Sequence, residues 1–410
     1  MRRWSLRRGA PLLMLFALIL SLLPLSAPSG EAAARPQAAV YFPNWNVYSD
    51  GAAQVKNLPW EKLDCVLHAF WKIVPQNGGY AVVSTDPWAD TDESNPKAHF
   101  PQYRRCAEQH PAIQILLSIG GWTCSGYFSE MAATASGRAS FVESCVDALR
   151  QYPFLAGLDL DWEYPGVARK GSGGDQGNPA SPADKENYTL LLRDLRSGLD
   201  QAFGKGEKQI TICAAASTDI LKKQDYAALF PYVNHIHLMT YDMTGASAAQ
   251  TGHHTALYGG VSADAAVKYL LGQGVPAAKI AIGTPLYSHG WKQADLSGDP
   301  LGASAVGMSG GGTRLWKDLA ALERSAVPEG TPGWHAGYDE KAQAAYLWND
   351  DPASPSYRFF YTYESARSLD AKLQYVRIHS LGGVIVWQSG GDDAARGYPM
   401  LTRIHQALGN

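Results

Sequence analysis

Apolar and polar positions along this chain follow two rhythms. Short runs rich in Val, Ile, Leu and Ala recur at 38–42, 64–70, 113–118, 156–161, 209–215, 235–239, 279–284 and 382–387. They are too short for helices and are apolar on both faces, as strands of a parallel sheet covered on both sides are. Between them a 3.6-residue period predicts helices, most clearly over 137–152, 183–203, 263–271, 365–380 and 393–408. Strand and helix alternating eight times predict an α/β fold, a closed (β/α)8 TIM barrel, whose sites gather at the carboxyl ends of the strands. The interval between the seventh and eighth strands is too long for one crossover. It holds Ser309-Gly310-Gly311-Gly312 and a strand-like stretch at 334–348, so residues 292–358 read as an insertion and residues 36–291 with 359–410 as the barrel. The Gly-, Ser- and Pro-rich stretch 170–183 reads as a flexible loop after the fourth strand.

The fourth strand carries the unusual chemistry. In Ala156-Gly157-Leu158-Asp159-Leu160-Asp161-Trp162-Glu163-Tyr164-Pro165, three acids stand two residues apart. Side chains alternate across a strand, so Asp159, Asp161 and Glu163 share one face while Leu158, Leu160 and Trp162 take the other. Three carboxylates in one confined space cannot all ionise, so at least one pKa must rise. Acids at a sheet edge or around a cation are the alternative. The apolar opposite face argues instead for burial on both sides.

This motif resembles the Asp-Gly-x-Asp-x-Asp-x-Glu signature of family 18 glycoside hydrolases, the chitinases and their relatives, with Ala156 in the first Asp position. Further likenesses follow in the family's order. Ser118-Ile119-Gly120-Gly121 resembles its Ser-x-Gly-Gly motif, and Met239-Thr240-Tyr241-Asp242 its Met-x-Tyr-Asp sequence. Val386-Trp387-Gln388 stands where the family keeps a floor tryptophan, and Tyr41 and Trp45 lie in a stretch resembling its opening strand. The resemblance implies an α+β insertion domain that walls a deep cleft. It also implies retaining hydrolysis of β-1,4-linked N-acetylglucosamine polymers, with the substrate's acetamido oxygen attacking the anomeric carbon. Glu163 would be the acid/base, Asp161 would hold the acetamido N–H, and Asp159 would share a proton with Asp161. Tyr241 would orient the acetamido carbonyl. Tyr41, Trp122, Met239, Asp242, Trp387 and Ser118 would bind or support substrate, with Trp45 a further platform. Two departures stand out: Ala156 lacks the side chain of an Asp, and His289 stands where relatives often carry an arginine, a planar five-donor fork. An endo-β-N-acetylglucosaminidase acting on glycoprotein glycans is the nearest alternative, and a non-catalytic chitin-binding lectin another; lectins of this kind typically lose the glutamate that Glu163 retains.

Composition narrows the setting. Residues 1–34 combine Arg2, Arg3, Arg7 and Arg8, an apolar stretch at 11–25 and Ala32-Ala33-Ala34, the pattern of a secretory signal cleaved near Ala34. That apolar run of about 15 residues falls short of the roughly 20 a bilayer needs. Losing the signal takes the net charge from −3 to −6, because four arginines and one glutamate leave with it. Mild acidity argues against nucleic acid and anionic membranes as partners; the expected partner is chitin or chito-oligosaccharide, bound by a secreted monomer. Cys65 and Cys213 sit in apolar runs and read as buried and inert, while Cys106, Cys124 and Cys145 could include one bridge. No cysteine has zinc-ligand spacing with histidine, so neither metal nor other cofactor is expected. His253-His254 reads as a pair of loop-surface residues, Asn187-Tyr188-Thr189 is a glycosylation sequon, and Asp392-Asp393 reads as a cap for the last helix.

Overall fold

The computed structural model describes residue 1 and residues 35–49, 54–245, 247–308, 312–325 and 333–409, without the side chains of 323–325. The expected signal, apart from its first residue, and most of the glycine run at 309–312 lie outside the described residues. In chain order the strands are β1 (Gln37–Pro43), β2 (Cys65–Gln76), β3 (Gly79–Ser84), β4 (Gln114–Gly120), β5 (Gly157–Asp161), β6 (Gln209–Ala215) and β7 (His235–Met239). They continue with β8 (Ile280–Pro285), β9 (His289–Lys292), β10 (Val306–Gly307), β11 (Trp334–Asp339), β12 (Ala344–Asn349), β13 (Phe360–Tyr363) and β14 (Gly383–Trp387). Parallel pairing runs β1-β2-β4-β5-β6-β7-β8-β14 and returns from β14 to β1, so the sheet closes into a (β/α)8 barrel.

Alternation along these strands divides the interior into two cores. On β4, Ile115, Leu117 and Ile119 point outward and pack under the helices, together with Leu158, Leu160 and Trp162 of the β5 segment and Ile210 and Ile212 of β6. The inward positions form a separate cluster that includes Tyr41, Leu67, Leu116, Cys213 and Ile385. The outer core is mainly apolar, with a buried His68–Asp90 pair set among its aromatic rings, whereas the inner face carries Ser118, Asp159, Thr211 and His237. Helices are started by side chains that accept orphan N–H groups: Thr134 caps Ala135–Gln151, Ser262 caps Ala263–Gly272, and Ser365 with Ser368 forms a capping box for Ala366–Ile378.

Several expectations need correction. The second strand runs beyond residue 70 to Gln76 and turns at Asn77-Gly78, both at positive φ, into antiparallel β3, as a type I′ hairpin requires. The single helix expected over 393–408 is instead a 3₁₀ turn, Ala394–Arg396, followed by Pro399–Leu408, because proline disfavours helical geometry in Tyr398 before it. Its first turn is capped by Asp392, whose carboxylate accepts from the N–H groups of Met400 and Leu401. The 170–183 loop is tied down: Asn178 is fully buried and accepts from Trp162 Nε1 at 2.9 Å while donating to the carbonyls of Tyr164 and Val167. All five cysteines are free thiols, so no bridge joins Cys106, Cys124 or Cys145. Among the described residues no helix is long and apolar enough to cross a membrane.

Between β8 and β14 the chain builds a second, antiparallel sheet, ordered β10-β9-β13-β12-β11, with the helix Trp316–Ser325 beside it. The joint with the barrel is polar and closed to solvent. Glu364, just after β13, accepts from Thr284 of β8 at 2.7 Å and from Ser368, and pairs with Lys372, whose ammonium also donates to Thr255. Both charged side chains are buried. Removing one leaves the other unpaired in low dielectric, so Lys372→Met is expected to cost about 3–5 kcal/mol. A denaturant titration checks this, and an unchanged midpoint would contradict it.

Candidate functional site

The cleft opens at the carboxyl ends of the barrel strands and has two lobes. One is lined by Tyr41, Trp45, Phe70, Asp161, Cys213 and Trp387; the other by Arg169, Ala216, Ser217, Met243 and His289. Trp122, Glu163, Tyr164, Met239, Tyr241 and Asp242 line both, so Glu163 stands where the lobes meet.

The backbone makes room for this arrangement at two glycines. Gly120 has φ +115°, and a Cβ there would lie 2.2 Å from the carbonyl oxygen of Asp161. The glycine thus allows β4 to press against the end of β5, the turn that Ser-x-Gly-Gly encodes. On β8, a Cβ at Gly283 would come within 2.6 Å of the Tyr241 ring.

Asp159 is the deepest of the three acids and fully buried. Its Oδ2 accepts from Tyr41 Oη at 3.0 Å and Ser118 Oγ at 2.7 Å, its Oδ1 accepts from Thr211 Oγ1 at 2.5 Å, and His237 Nδ1 lies 3.4 Å from Oδ1. Burial pushes this carboxyl up, but His237, Thr211 and Ser118 outweigh it and hold Asp159 below the usual carboxylate range. Asp161 is treated oppositely. Burial, then the charges of Glu163 and Asp159, raise it well above that range, and its Oδ1 has no hydrogen-bond partner among the described residues. These opposed shifts favour the negative charge on Asp159 over Asp161. Glu163 is half-buried; desolvation, opposed by Tyr164 and reinforced by the charge of Asp242, pushes it up to about 7.

Around these acids stand aromatic surfaces. Trp387 stacks on Phe70 with centroids 5.6 Å apart and an interplanar angle of 22°, and its edge meets Trp45. Trp122 is 51% exposed, with the Arg169 guanidinium 3.9 Å over its ring. Tyr241 is buried and meets Tyr287 edge-on. Asp242, at φ +56°, turns its carboxylate into the cleft, where Oδ1 accepts from Tyr287 Oη at 2.5 Å and lies 2.6 Å from His289 Nε2.

Residues 37–392 match the family described as glycosyl hydrolases family 18. The chain belongs to that family. Chitinase A of Pseudoalteromonas piscicida is 30% identical over 86% of this chain and 50% of its own length; chitinase A1 of Niallia circulans is 34% identical over 76% and 46%. The chain thus spans about half the length of these curated relatives. Among solved structures, a family 18 N-acetylglucosaminidase from Paenibacillus barengoltzii superposes with a TM-score of 0.73 at 30% identity, covering 91% of this chain and 99% of the other.

Both departures from the family 18 pattern have a physical resolution. Ala156 packs its methyl against the inner cluster, and its N–H and carbonyl pair with Ile115 and Gln209, so the segment is held by backbone and packing. His289 reaches Asp242 through one nitrogen, a single contact in place of a fork. Several cleft residues escaped the sequence reading. Thr211, Cys213 and His237 are inward by parity on β6 and β7, a signal that was available. Cys213 is buried, yet it lines the cleft floor rather than sitting apart from it. His254 is also not a surface residue: it is fully buried beside Asp242, while its neighbour His253 pairs with Asp339.

Carboxyl carbon NMR reads the electrostatics directly. Glu163 is expected to titrate near pH 7, against about 4.3 for an exposed glutamate. A midpoint below pH 5 would contradict the role of burial.

Proposed function

We propose that this chain is a chitinase, hydrolysing β-1,4-linked N-acetylglucosamine polymers with retention and using the substrate's own acetamido oxygen as nucleophile. The observation that carries this reading is Glu163 at the junction of two cleft lobes, with its pKa raised toward neutrality, beside Asp161, whose carboxyl is pushed up by burial and by its acidic neighbours. A carboxyl near pH 7 can protonate the departing glycosidic oxygen and later take a proton from water. Asp161 lines the cleft, and its Oδ1, sealed from solvent and without a partner among the described residues, would accept the acetamido N–H once the side chain turns toward the sugar. As positive charge grows on the oxazolinium ion, passing its proton toward Asp159 would leave an anion where that charge needs one. Tyr241 supplies a phenol donor for the acetamido carbonyl, and Trp387, backed by Phe70, offers a flat apolar surface to the sugar ring. Both curated relatives are chitinases by name, which supports the substrate class. The expected N-terminal signal would place the enzyme outside the cell.

The solved N-acetylglucosaminidase supports a second reading, release of single sugars from chain ends. Lobes on both sides of Glu163 favour internal cleavage. Chitohexaose digestion separates the two: di- to tetrasaccharides are expected first, and monosaccharide alone would overturn internal cleavage. The mechanism has its own test. Glu163→Gln is expected to keep chain binding while kcat falls at least about a hundredfold. In the wild type, kcat/KM should fall as pH rises through about 7, because the donor must be protonated. Unchanged turnover in the variant, or no basic limb, would refute the assignment.

A further inference from the structure

The carboxylate of Asp242 is shared by two histidines that come from different parts of the chain. His289 Nε2 lies 2.6 Å from Asp242 Oδ1, and His254 Nδ1 lies 3.9 Å from the same oxygen. The two imidazoles meet edge to face with centroids 4.8 Å apart. One donor atom from each of Asp242, His254 and His289 lies within 4.8 Å of the others. His254 is fully buried, yet neither of its ring nitrogens has a hydrogen-bond partner among the described residues, and the same holds for His289 Nδ1. A buried imidazole without partners costs stability unless the site gives it something to bind. On the opposite side the Asp242 side chain is 55% exposed to the cleft, which leaves an entry path.

We propose that Asp242, His254 and His289 form a binding site for a zinc-class divalent cation, and that its occupation closes the cleft to substrate. Two imidazoles and a carboxylate with one open position are the donor set of borderline first-row metals rather than of magnesium or calcium, which take oxygen cages. The donors need small shifts only. Bonds of about 2.0–2.2 Å at tetrahedral angles separate ligand atoms by roughly 3.3 Å, between the two spacings present now. A bound dication would take up the carboxylate that lines both lobes of the cleft.

Binding rests on these three side chains alone; only the inhibition rests on the proposed hydrolysis, so the two can fail separately. Calorimetry of the chelator-stripped full chain with zinc chloride is expected to show one site, and cobalt(II) as a probe should develop ligand-field absorption with two nitrogen donors. His254→Gln and His289→Gln should each weaken binding by about tenfold or more. Should His254→Gln fail to fold, His289→Gln carries the test, because its side chain borders the cleft. No binding up to about 1 mM zinc, or equal affinity in a folded variant, overturns the site. In wild type, chito-oligosaccharide hydrolysis should fall over the same zinc range and recover with chelator. Binding without loss of hydrolysis would overturn the claim that the metal closes the cleft.

Discussion

Everything in the cleft depends on holding a bare negative charge at the bottom of a barrel. Asp159 is sealed from water, and a carboxylate there survives only because hydroxyls from β1, β4 and β6 and an imidazole from β7 converge on it. Four different strands must close around one side chain for this to happen, so the anion is also a statement about barrel closure. Its neighbour two residues on receives none of those donors, and its carboxyl is pushed the other way, above the usual carboxylate range. The contrast is produced by partners: the inner carboxyl meets the barrel's polar layer, whereas the outer one meets burial and the charges of its two acidic neighbours.

The same alternation that supplies those donors keeps them apart from the apolar core. Outward positions on β4, β5 and β6 bury Ile, Leu and Trp beneath the helices, leaving inward positions free to be polar without loss of hydrophobic burial. Where side chains would obstruct this plan, glycine removes them, as at Gly120 against Asp161 and Gly283 against Tyr241. The antiparallel sheet between β8 and β14 is joined through Glu364 and Lys372, buried charges that must stay paired because either alone would be costly to desolvate.

Much of this was legible in the chain. Parallel strands buried on both faces are nearly pure apolar runs, so all eight could be read, and the spacing of Asp159, Asp161 and Glu163 gave their common face. Parity could also have exposed Thr211 and His237, which resembled ordinary strand residues. His254 could not be found this way, since it reaches Asp242 through a loop whose path no local pattern reports. The broken last helix turned on one proline that periodicity outweighed, and the anchoring of 170–183 turned on a single buried asparagine inside a loop composition.

The state of the cysteines carries a consequence for how the protein lives. Four thiols are buried, Cys213 among them beneath the cleft floor, and the fifth, Cys124, is half covered, with none paired. Shape is therefore maintained without disulfides, and reaching it requires no cysteine to be oxidised. Such a chain is indifferent to the redox poise of its surroundings, and reductants strong enough to unravel a disulfide scaffold would leave its architecture as it stands.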